Sequence, residues 1–133
     1  MASSGQVRAL LVDDDADFVE TLATALRAAG YAVEAFTEPT RALEHMRHAA
    51  KPDVVLLDFM LPEMNGLQFM RALATMNISS PVVLLAGRDN RALGILPVHF
   101  ARVFRKPFPL DSLLAELEAL TAPARLSVAG GSP

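Results

Sequence analysis

Carboxylates close two of the apolar runs in this chain. Asp13, Asp14 and Asp15 follow Val7–Val12, and Asp58 follows Val54–Leu57 within the stretch PDVVLLDFMLPEMNG, Pro52–Gly66. Lys106 follows a weaker run, Ala101–Phe104. Carboxylates at close quarters repel, so one must take a proton or a cation must sit between them. Oxygen donors with no His or Cys beside them suit a hard ion, with Mg²⁺ the biological choice. A carboxylate beside Mg²⁺ and an ammonium group has the parts for phosphoryl transfer. The acid is the nucleophile, while metal and lysine neutralise the equatorial oxygens. No GxxxxGK[ST] or GxGxxG loop is present to cradle a nucleotide, so the phosphoryl group must come from a partner or a small phosphodonor.

Converging these groups requires particular elements. Val54–Leu57 and Val82–Leu85 are continuous apolar runs, the pattern of strands buried on both faces. Val7–Val12, Tyr31–Phe36 and Ala101–Phe104 are further strand candidates. Helical spacing follows each: Phe18, Leu22, Ala25, Leu26 and Ala29 after the first, stopped by Gly30; Ala42, Leu43, Met46 and Ala49 after the second, with Thr37 as cap and Pro39 as start. Asn65 caps a third helix carrying Leu67, Met70, Leu73 and Ala74. Arg91–Leu96 reads as a short helix stopped by Pro97, and Leu110, Leu113, Leu114, Leu117 and Leu120 form the stripe of the last.

This alternation predicts an α/β fold: a doubly wound, five-stranded parallel sheet with helices on both faces. In the order 2-1-3-4-5, strands one and three are neighbours at the switch point, where such sheets place their chemistry. Asp13, Asp14 and Asp58 would then share one crevice with Lys106 nearby. Residues 1–6 read as a disordered lead-in and 7–121 as one domain. Residues from Thr121, rich in small residues, Gly and Pro, read as a flexible tail, with 122–133 outside the domain.

Bulk properties narrow the classes. At 133 residues, 52% hydrophobic and 20% charged, the chain is globular and large enough for a real core. A net charge of −3 with interspersed signs argues against direct nucleic-acid binding. The absence of cysteine excludes disulfides and thiol chemistry. No apolar stretch approaches a membrane span and no signal-peptide core opens the chain, so a soluble cytoplasmic protein is the default.

The segments LLVDDD, VVLLDFMLPEMNG and FRKPF, in that order and on that pattern, resemble the receiver domain of two-component response regulators over about residues 7–120. The resemblance implies the flavodoxin-like fold, Asp58 as phosphoacceptor, and Mg²⁺ held by Asp13, by Asp14 more directly, by Asp58 and by the Met60 backbone carbonyl. It implies that Lys106 pairs with the phosphoryl group and the metal-bound acid. It also implies a histidine kinase or histidine phosphotransfer protein as donor and a downstream protein as target. Such a domain catalyses only its own phosphorylation and slow dephosphorylation. Relative to the family, Ala86 replaces the usual Thr or Ser at the end of the fourth strand, and Val103 replaces the usual aromatic residue three before the lysine, with Phe104 facing the other way. The segment between Gly87 and Lys106 is shorter than usual. These departures leave open a phosphorylation-independent interaction module, and a homodimer through the 88–104 face.

Other functions fit less well. A haloacid-dehalogenase-like phosphohydrolase needs a second Asp where Met60 stands, and a flavodoxin-like electron carrier needs a Ser/Thr-rich phosphate loop after the first strand. Asp15 and Asp17 are read as serving the helix start, and Asp53 as a solvated loop residue. His45 and His48 are read as a solvated helix face that no carboxylate joins. The methionines, Met46 and Met70 included, are read as packing, and Arg88 with Met60 as flanking the pocket.

Overall fold

The computed structural model describes residues 5–87 and 100–124. Its strands are β1 (Arg8–Val12), β2 (Ala32–Phe36), β3 (Val54–Asp58), β4 (Val82–Ala86) and β5 (Arg102–Arg105). All pairings are parallel, in the order β2-β1-β3-β4-β5. The helices are α1 (Ala16–Ala28), α2 (Pro39–Met46), α3 (Gly66–Ala74) and α4 (Leu110–Leu120). Every residue of β3 and β4 is buried, which is why both read as unbroken apolar runs rather than alternating ones.

Alternation along the strands divides the core in two. Ala9, Leu11, Val54, Leu56, Val83 and Leu85 meet α1 and α4, whereas Leu10, Val12, Val55, Leu57 and Val82 meet α2 and α3. β5 is an exposed edge on which only Phe104 turns inward. No helix among the described residues is long and apolar enough to cross a membrane.

Several local expectations need correction. In α1 the buried stripe is Val19, Leu22, Ala23 and Leu26; Phe18 is half-buried and Ala29 exposed. Alanines spread apolar surface around most of this helix, so periodicity alone does not select the inward face. In α3 the fully buried residue is Phe69, with Gly66 and Leu73, while Ala74 is exposed. The bulkiest apolar side chain takes the deepest position because it removes the most apolar area from water. The N-cap of α2 is Glu38, without a side-chain bond, rather than Thr37; Pro39, which carries no N–H to satisfy, opens the helix.

Asp53 is not merely solvated: its Oδ2 accepts from the Arg8 N–H at 2.8 Å, joining the start of β1 to the turn before β3. Thr121 is buried and Ala124 packs on the α1/α4 core, so packing extends past residue 121. The Arg91–Leu96 helix, Arg88 and most of the 88–104 face lie outside the described residues.

Candidate functional site

Asp13 and Asp58 stand at the carboxyl ends of the adjacent strands β1 and β3, in the register Ala9↔Val54 to Val12↔Leu57. Asp13 leaves the ladder through its own N–H, donated to the Phe36 carbonyl at 3.1 Å. Two residues on, Asp15 caps α1 by accepting from the Phe18 N–H at 3.1 Å, and Asp17 lies in the first turn. Both acids meet the positive end of the helix, as expected. The chain thus turns sharply between strand and helix, leaving Asp14 exposed at the mouth above a fully buried Asp13.

After Asp58, the loop doubles back through a bridge between Met60 and Asn65, and the Gly66 N–H donates to the Phe59 carbonyl at 2.8 Å. A Cβ at Gly66 would lie 3.3 Å from the Phe59 ring, so a side chain there would crowd this return. Asn65 and Gln68 form a reciprocal capping box on α3, at 2.9 and 2.8 Å. Glu63, at the loop tip, has φ 74°, the left-handed region.

One carboxylate oxygen from each of Asp13, Asp14 and Asp58 lies within 4.8 Å of the others. The Lys106 Nζ donates to Asp13 Oδ2 at 2.5 Å, and the Asp15 N–H donates to Asp13 Oδ1 at 3.0 Å. Asp58 has a weaker link, from the Met60 N–H at 3.4 Å. Burial raises the Asp13 carboxyl above its ordinary value, against the pull of Lys106 and the Asp15 amide. Burial, then the Asp13 charge, pushes Asp58 from 3.8 up to about 6, with Lys106 and the Met60 amide opposing. Crowded oxygen donors with one acid driven toward its protonated form are a fit for a small hard cation, which would take the place of that proton.

Lys106 comes to this cluster from the far side of the sheet. Its backbone N–H donates to the Ala86 carbonyl at 2.8 Å, and the peptide to Pro107 is cis. Its ammonium sits 4.3 Å from the centroid of the Phe18 ring. Phe18 meets Phe108 edge to face, and Phe108 meets Phe104 similarly. The sequence gives no sign of this row: Phe18 reads only as part of the stripe of α1, and Phe108 only as part of the motif around the lysine.

Ala86 is fully buried and follows Leu85, the register partner of Asp58, so a methyl group flanks the acid there. Val103 is 48% exposed on the edge strand, while Phe104 faces the core. Met60 is 60% exposed beside the site. Ser80 lies at the opposite end of β4, donating to the Pro52 carbonyl. The histidines do have carboxylate partners, contrary to expectation: His45 Nε2 lies 2.5 Å from Glu34, and His48 Nε2 lies 3.4 Å from Glu44. The two partners differ, so the pair does not converge on one ion. His99 lies outside the described residues.

Residues 9–118 match the response regulator receiver domain family. The response regulator MprA of Mycobacterium ulcerans (strain Agy99) is 37% identical over 123 residues, covering 90% of this chain and 52% of the relative. MprA of Mycobacterium leprae (strain TN) is 37% identical over 117 residues, 86% of this chain and 50% of the relative. The chain spans about half the length of these curated relatives. Among solved structures, a response regulator receiver protein from Burkholderia phymatum superposes with TM-score 0.75 at 26% identity, covering 88% of this chain and 96% of that one. The Francisella response regulator 1452 receiver domain shares the fold, with TM-score 0.77 at 24% identity over 90% of this chain and 99% of its own.

Proposed function

The chain belongs to the response regulator receiver domain family of two-component systems, and on that premise we propose that it accepts a phosphoryl group on Asp58. The observation that carries this reading is the meeting of three carboxylate oxygens within 4.8 Å, with Lys106 bonded to one of the acids. Asp13, Asp14 and Asp58, with the Met60 carbonyl, would hold Mg²⁺. When bound, Mg²⁺ supplies charge neutralisation at the phosphoryl oxygens.

An Asp58 carboxylate oxygen attacks phosphorus as the bond from phosphorus to the donor breaks, and the donor leaves with its electron pair. The nucleophile must be deprotonated; burial first, and then the Asp13 charge, raise Asp58, and a cation that offsets both favours the reactive form. Asp13 holds Lys106 at the site, where its ammonium can offset charge gathering on the transferring oxygens. Buried walls of β3 and β4 exclude water from behind the acid. The donor is a histidine kinase or a histidine phosphotransfer protein, and the recipient of the signal is a downstream protein. Phosphorylation then acts by shifting a two-state equilibrium.

The switch differs from the family's usual one. Ala86 offers no hydroxyl to a phosphoryl oxygen, and one hydrogen bond to a charged group is worth about 1.5–3 kcal/mol. The phosphorylated state is therefore expected to be shorter-lived rather than lost, with an output that does not run through a hydroxyl–aromatic pair at 86 and 103. The same two positions favour the second reading, an interaction module that signals without phosphorylation.

Intact mass after incubation with phosphoramidate and Mg²⁺, beside Asp58→Asn, decides between them. A phosphoryl adduct in the wild type and not in the variant is the expected result. If donors of both kinds, including a cognate kinase, leave the wild type unmodified while Mg²⁺ binds, the phosphoacceptor assignment is overturned.

A further inference from the structure

Lysine is a flexible point charge on four rotatable bonds, and it must be held to act reproducibly on a transferring group. Among the described residues, two contacts hold the Lys106 side chain. Asp13 Oδ2 accepts from its ammonium at 2.5 Å, and the Phe18 ring lies 4.3 Å away, inside the range where a ring face attracts a cation. The side chain is only 23% exposed, so water competes weakly for the charge. The ring is itself fixed: Phe108 meets it at 6.2 Å between centroids and 83° between planes, and Phe104 backs Phe108 at 5.4 Å. Phe18 lies one turn into α1, which Asp15 anchors through the Phe18 N–H. Helix start, aromatic row and ammonium thus form one connected support.

We infer that Phe18 is a positioning residue for phosphoryl transfer, holding the Lys106 ammonium through its ring face. The inference rests on the phosphoacceptor reading of Asp58. It has particular weight in this chain because Ala86 supplies no hydroxyl, leaving Lys106 a larger share of the contact with the phosphoryl group. Phe18 acts through the lysine, which its ring faces.

Two measurements test this. The first needs no phosphorylation: ring current from Phe18 should move the Lys106 ε-methylene protons upfield in the NMR spectrum of the wild type, and Phe18→Leu should return them to ordinary values. Unshifted protons in the wild type overturn the clamp. The second is the rate of adduct formation from phosphoramidate with Mg²⁺. Phe18→Leu, nearly matched in volume, should slow it roughly fivefold, and Phe18→Tyr or Phe18→Trp should stay within about twofold of the wild type. A leucine variant as fast as wild type, or aromatic variants as slow as leucine at matched thermal stability, would overturn the role. A wild type that shows the ring-current shift yet takes up no phosphoryl group would sink the Asp58 reading and the role in transfer, while leaving the contact itself established.

Discussion

Replacing Asp58 with Asn should make the metal-free protein more stable. Asp58 is 7% exposed and shares its end of the sheet with Asp13 and Asp14, while its own hydrogen bond, from Met60, is long at 3.4 Å. Burial and the Asp13 charge raise its carboxyl from 3.8 to about 6. Below 3.8, folded and unfolded chains both hold this proton and the site costs nothing. Between 3.8 and about 6 the unfolded chain gives up the proton while the folded chain keeps it, so stability falls as pH rises. Above 6 the full penalty, about 3 kcal/mol, is present. Asn cannot ionise, so Asp58→Asn should recover up to about 3 kcal/mol at pH 7, about 10 °C in melting temperature for a domain of this size. Urea unfolding of both proteins in EDTA, from pH 4 to 8, measures it. The gap should open with rising pH and narrow on adding Mg²⁺, which binds the folded wild type and stabilises it by mass action. A variant no more stable than wild type at pH 7, or a gain independent of pH, would refute the account of Asp58 as a buried acid beside a like charge.

Other perturbations probe the site and its supports. Ala86→Thr should lengthen the lifetime of phosphorylated Asp58 by about tenfold or more, the value of one hydroxyl bond to a charged oxygen, followed by loss of the adduct mass with time. Asn65→Ala removes half of the capping box that anchors α3 beside the Asp58 loop and should cost about 1 kcal/mol by urea unfolding, with Asn65→Ser close to neutral. Glu63→Asn should stabilise by roughly 1 kcal/mol, since asparagine tolerates the positive φ at the loop tip better than glutamate does. Asp53→Ala should destabilise by about 1–3 kcal/mol, because the partly buried Arg8 N–H loses its acceptor.

Much of the fold and the acid cluster was legible in the chain itself. Val54–Leu57 and Val82–Leu85 are apolar without a break because both faces of those strands are covered, as in a parallel sheet between helix layers. Asp13 and Asp58 announce strand ends because a carboxylate inside such a run would be buried without partners. Asp15 and Asn65 follow from local cap chemistry and appear where expected. These signals all act within a few residues, which is the range over which periodicity and capping operate. They determined the α/β architecture, its punctuation and the acids that meet in one crevice.

Facing and partnership were decided elsewhere. Alanine-rich α1 could turn Phe18 or Val19 inward; the strands beneath it chose Val19 and left Phe18 at the margin, over Lys106. Asp53 found the Arg8 amide 45 residues away, and Lys106 found Asp13 across 93 residues of chain. The lysine's bond to Asp13 and its seat on Phe18 exist because β1, β3, β4 and β5 bring distant chain segments to one crevice. Charge and burial then act over a few ångströms of space, a distance the linear order of residues does not contain.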